Sequence, residues 1–138
     1  MNSTLSILII EKDLPLQHTL ALLFRRAGYN VDSEQVSLQV LKFLETNPCD
    51  LIVLDLSQTN DYGLSLFYKI KMKYPLLPII LLSSSHENEI IPCINEEEMW
   101  VLVRKPFEPG SLLRTVNAVA CGLSIVDSQP VQMGKYVN

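Results

Sequence analysis

The chain of 138 residues has the length of one domain, enough to bury roughly two thirds of the surface its unfolded form exposes. Apolar residues make up 48% and charged residues 19%, with no run approaching the ~20 apolar residues of a membrane span and no secretion-type start, so a soluble, untargeted, cytoplasmic protein is expected. A net charge of -4 with scattered basic residues argues against a nucleic-acid surface, and three widely spaced cysteines without CxxC argue against disulfides or structural zinc.

The first apolar run, Ser6 to Ile10, reads as a buried strand that ends in Glu11-Lys12-Asp13. Pro15 fits the first turn of a helix whose inner row is Leu16, Leu20, Leu23, Phe24 and Ala27. Arg25 and Arg26 suit its negative end, and Gly28 stops it. A short strand over Tyr29 to Ser33 and an amphipathic helix from Leu38 to Glu45 follow, the latter closed by Asn47-Pro48.

Asp50 to Leu56 (DLIVLDL) is the centre of the pattern: branched, apolar and short, it predicts a strand buried on both faces that delivers Asp55 to its C-terminal edge. Gly63 opens a helix with Leu64, Leu66, Phe67 and Ile70 inside and Lys69, Lys71 and Lys73 outside. Pro78 to Leu82 predicts the fourth strand, running into Ser83-Ser84-Ser85. A short helix is expected within 87–95, interrupted by Pro92, and Glu96-Glu97-Glu98 reads as a solvated loop. Met99 to Val103 predicts the fifth strand, and Ser111 to Cys121 the last helix, ended by Gly122.

Alternating strands and helices of this kind form a parallel sheet covered on both faces by right-handed crossovers. The domain is expected over 1–122, with 123–138 as a C-terminal tail or linker. The cysteines read as small buried hydrophobes.

In such a sheet Glu11 to Asp13, Asp55, Ser83 and Lys105 all lie along one edge. An aspartate with neighbouring acids, a hydroxyl and a lysine suits phosphoryl transfer to a carboxylate: a nucleophile, a cation to neutralise phosphoryl oxygens, and a hydroxyl to hydrogen-bond one of them.

From about Ser6 to Cys121 the sequence resembles the receiver domain of two-component response regulators. The resemblance rests on Asp55, the Asp61-Tyr62-Gly63 element, Ser83 after Pro78-Ile79-Ile80-Leu81-Leu82, and Lys105-Pro106-Phe107. It implies a flavodoxin-like, CheY-like five-stranded sheet in the order 2-1-3-4-5. Asp55 would be the phosphoacceptor, Ser83 the switch hydroxyl and Lys105 the phosphoryl contact. Mg²⁺ would be held by Glu11, Asp55 and the backbone carbonyl of Ser57.

Three positions depart from the family pattern. Lys12 stands where receivers carry the second of two adjacent acids, Leu102 where an aromatic switch residue is usual, and Thr59 where proline is common. Glu11, Asp55, Lys12 and Lys105 sum to zero charge, which weakens the pull on a divalent cation. An ammonium about 4 Å from a carboxylate contributes roughly 4 kcal/mol at an effective dielectric near 20, before desolvation. Lys12 could therefore pair with Asp55 in place of the metal, or swing out to solvent.

The expected function is a non-enzymatic signalling domain. It would accept a phosphoryl group on Asp55 from a histidine kinase or phosphotransfer protein. It would signal to a downstream protein or output domain through the fourth helix, fifth strand and fifth helix in chain order, with Trp100 and Leu102 on that face, which also suits a homodimer. The alternative is a pseudo-receiver that binds partners without phosphorylation, suggested by Lys12 and Leu102. No loop looks built for a flavin or dinucleotide, and no nucleic-acid or membrane contact is expected.

Overall fold

A computed structural model describes residues 4–34, 37, 39–56, 62–84, 99–124 and 135–137. The expected elements appear as β1 (Ser6–Ile10), α1 (Leu14–Arg26), β2 (Asn30–Glu34), α2 (Gln39–Thr46) and β3 (Leu51–Asp55). They continue as α3 (Tyr62–Lys73), β4 (Ile79–Ser83), β5 (Trp100–Arg104) and α4 (Pro109–Ser124). All strand pairs are parallel, and the order 2-1-3-4-5 expected of a flavodoxin-like receiver fold is present. Outside it lies a sixth strand that the polar composition of the tail did not signal. Lys135–Val137 (β6) pairs in parallel with β5.

Period-two alternation along the strands divides the core. Ile7, Ile9, Val53, Ile80, Leu82 and Val103 point to one face, where Leu20 and Phe24 of α1 and Leu112 and Val116 of α4 cover them. Leu8, Ile10, Ile52, Leu54, Ile79 and Leu81 point to the other, beneath Val40 and Leu44 of α2 and Leu66, Phe67 and Ile70 of α3. Every residue of β3 and β4 is buried, which explains their uninterrupted apolar sequence.

Local chemistry sets the helix ends. The Asp13 side chain caps α1 by accepting from the Leu16 amide at 3.2 Å, and beyond Arg26 the chain turns at Gly28 with φ +100°. α3 starts hard against the end of β3: a Cβ on Gly63 would stand 3.0 Å from the Asp55 carbonyl oxygen and 3.1 Å from the Leu56 Cα. Only glycine allows that approach without displacement. The Lys105–Pro106 peptide bond is cis.

Several expectations are corrected. α4 runs through Gly122 to Ser124. Lys71 is buried, its ammonium donating to the Leu77 carbonyl at 2.6 Å, while Lys69 and Lys73 do face solvent. Trp100, expected on a partner face, is 1% exposed because its side chain packs in the core cluster that holds Ile79 and Leu81, and Leu102, 0% exposed, simply packs in the same cluster. Cys121 is exposed, whereas Cys49 is half-buried and burial pushes its thiol up to about 12. The helix expected within 87–95, the acidic loop 96–98, Cys93, Ser57, Thr59 and Asp61 lie outside the described residues.

Candidate functional site

The parallel register brings the ends of β1, β3, β4 and β5 to one edge. Ile10 aligns with Leu54, Asp55 with Leu82, and Ser83 with Arg104, so the next residues form a cluster although they are far apart in sequence. Two backbone bonds continue the sheet into it: Leu56 N–H donates to Leu82 O and Lys105 N–H to Ser83 O, both at 2.7 Å.

Asp55, 1% exposed, receives the Lys105 ammonium at 2.7 Å on Oδ2. The same ammonium stands 3.9 Å from Glu11 Oε2. Glu11 is as deeply buried, and its Oε1 accepts from the Asp13 amide at 3.0 Å. Among the described residues Glu11 Oε2 has no donor within hydrogen-bonding distance. A buried acceptor beside a second carboxyl favours a shared proton. Burial, then the hydrogen bond to Asp55, accordingly raise the Glu11 pKa from 4.5 to about 8.

Ser83 is buried at the same edge, and its hydroxyl donates to the Ser84 carbonyl at 2.9 Å. Lys12 is exposed, and the ion pair to Asp55 is made by Lys105. Asp13 is exposed and engaged as the cap of α1, so it does not supply a second pocket acid. The structure brings Glu11, Asp55 and Lys105 together and places Ser83 at the end of the neighbouring strand β4. A residue the sequence did not single out is Gln17, a buried amide that donates to Glu11 O at 3.0 Å and Glu34 O at 3.3 Å and so fixes the turn after β1. The available signal was a polar residue on the row 17, 20, 21 and 24 that α1 buries.

Among the described residues no group of three or more His, Cys, Asp or Glu side chains could hold a metal ion. The two carboxyls present still suit a hard cation in part, since Glu11 Oε2 is a buried oxygen lacking a hydrogen-bond donor. Beside Lys105 a groove of about 430 Å³ opens, lined mainly by Leu16, Leu20, Pro106, Phe107 and Pro109.

The chain is thus a doubly wound parallel α/β domain with a lysine-paired aspartate at the C-terminal edge of its sheet. Residues 7–117 match the model of the response regulator receiver domain, and the chain belongs to that family. An NtrX-like response regulator of Rickettsia conorii is 30% identical over 115 residues, which cover 80% of this chain and 24% of that protein. The chain thus spans about a quarter of the length of such curated relatives. A response regulator structure from Chloroflexus aurantiacus superposes with a TM-score of 0.67 at 25% identity, covering 83% of this chain and 96% of that one. The chemotaxis protein CheY4 of Vibrio cholerae gives 0.71 at 18% identity, covering 83% and 98%, which is a likeness of fold. No helix among the described residues is long and apolar enough to cross a membrane.

Proposed function

We propose that Asp55 is a phosphoacceptor charged by a phosphohistidine of a kinase or phosphotransfer protein. The observation that carries this reading is the 2.7 Å pair between Lys105 and Asp55 at the ligand-binding edge of the sheet. An Asp55 carboxylate oxygen attacks phosphorus, a P–O bond forms as the P–N bond breaks, and the imidazole leaves with the bonding pair and takes up a proton. Lys105 pairs with the Asp55 carboxylate and stays beside the incoming phosphoryl oxygens. The Ser83 hydroxyl, now on the Ser84 carbonyl, turns to donate to one of them.

Glu11, Asp55 and the Ser57 carbonyl are the groups that would hold Mg²⁺, which when bound supplies charge neutralisation to the phosphoryl oxygens. The exposed position of Lys12 supports a pocket that is weakened toward the cation rather than plugged. The donor's histidine-bearing helix has an apolar seat available in the groove beside Lys105. The receiver domain is taken as 1–122, cytoplasmic, and coupled to an output domain or partner through the face that β5 and α4 help to build. The buried Leu102 favours transmission by backbone shift of β5 rather than by a rotating side chain.

Incubation with acetyl phosphate, with and without Mg²⁺, followed by intact mass measurement beside Asp55→Asn, tests the reading. A Mg²⁺-dependent phosphoryl adduct absent from the variant is expected. No adduct from folded protein under any condition would instead support a pseudo-receiver that binds partners unphosphorylated.

A further inference from the structure

β6 changes what the edge of the sheet presents. Ile79 N–H donates to Met99 O and Lys105 N–H donates to Ser83 O, so the odd-numbered residues of β5 turn their backbone groups toward β4. By the period of two, Trp100, Leu102 and Arg104 turn theirs away from it. That outer edge is where β6 lies, with Val101 opposite Lys135, Leu102 opposite Tyr136 and Val103 opposite Val137. In a parallel ladder with this register, Leu102 bonds on both sides of its partner, to Lys135 O and from Val137 N–H, while Tyr136 turns its backbone away. An edge as apolar and branched as Trp100-Val101-Leu102-Val103 is a template for a further strand whenever it is bare.

We propose that this edge is an exchangeable strand site, and that at high concentration it is filled by Lys135–Val137 of a second copy, giving a reciprocally swapped dimer. Three observations support it. The strand in place is three residues long, against five for each other described strand, so few backbone bonds hold it on the edge. Ten residues, 125–134, separate it from α4, enough to span about 33 Å when extended. The segment that matches the edge in register belongs to the chain itself, so an identical copy supplies the same bonds and the exchange closes on a two-fold axis. The inference stands independently of whether Asp55 is phosphorylated.

The test compares the full chain with Val137→Pro, which removes the donor to Leu102 O, and with Tyr136→Pro, whose lost N–H faces away from β5. Intramolecular capture has an effective concentration in the millimolar range, so light scattering should find monomer at about 10 μM and dimer approaching 1 mM. Val137→Pro should stay monomeric at both and speed hydrogen exchange at the Leu102 amide by about tenfold or more. Tyr136→Pro should behave as the parent chain. Unchanged exchange at Ile52 and Val53 would show the centre of the sheet intact. A parent chain that remains monomeric near 1 mM, a dimer that survives Val137→Pro, or a Leu102 amide indifferent to that substitution would overturn the proposal.

Discussion

Glu11 carries the pocket's pH dependence. Its carboxyl titrates near 4.5 in an unfolded chain and at about 8 in the fold, because burial and the hydrogen bond to Asp55 favour the protonated form. Below pH 4.5 both states hold the proton and nothing is lost. Between 4.5 and 8 only the folded state holds it, so stability falls as pH rises, by up to about 1.4 kcal/mol per unit. Above 8 the loss is complete. Urea unfolding in EDTA should therefore show stability declining from pH 5 to 8, and Glu11→Gln should flatten that decline. Parallel curves for the two proteins would refute the assignment. The acid was legible in the sequence by its place after β1, but its protonation was not, since that follows from a neighbour 44 residues away and from exclusion of water.

At the scale of elements, the junction of β3 and α3 is the tightest fitting. Gly63 lets the helix start against the backbone of Asp55 and Leu56, and a methyl group there meets backbone atoms that cannot yield cheaply. Gly63→Ala should destabilise by about 1–3 kcal/mol in denaturant titration, despite alanine's better helix propensity. A neutral or stabilising result would mean that the helix start moves freely relative to Asp55. The helices themselves were readable from Pro15, Gly28 and their apolar rows. The burial of Lys71 was not, because its position on α3 looks outward by sequence and only the return of the chain at Leu77 gives its ammonium a carbonyl.

For the whole molecule, cation binding and folding are linked. A ligand that binds only the folded state stabilises by about 2.7 kcal/mol at a hundredfold excess over its Kd. With a pocket of two carboxyls and Lys105, the parent chain should show a small rise in thermal midpoint with Mg²⁺. Lys12→Asp should enlarge that rise by placing a third acid at the turn after β1. An unchanged Mg²⁺ response in this variant would show that residue 12 lies too far out to influence the site, and that Lys12 is not what weakens it.

The sequence by itself determined the five central strands of the sheet, its two covered faces and the residues at its C-terminal edge. Apolar period and length are local properties, and in a parallel sheet they fix where every strand must end. Only the tertiary structure decided which lysine meets Asp55, that Glu11 holds a proton, that Gln17 braces the turn beside it, and that Lys135–Val137 closes the edge of β5. Those outcomes depend on distances and solvent exclusion among residues far apart along the chain, and for β6 on a strand edge that gives a three-residue segment the backbone partners its own sequence cannot supply.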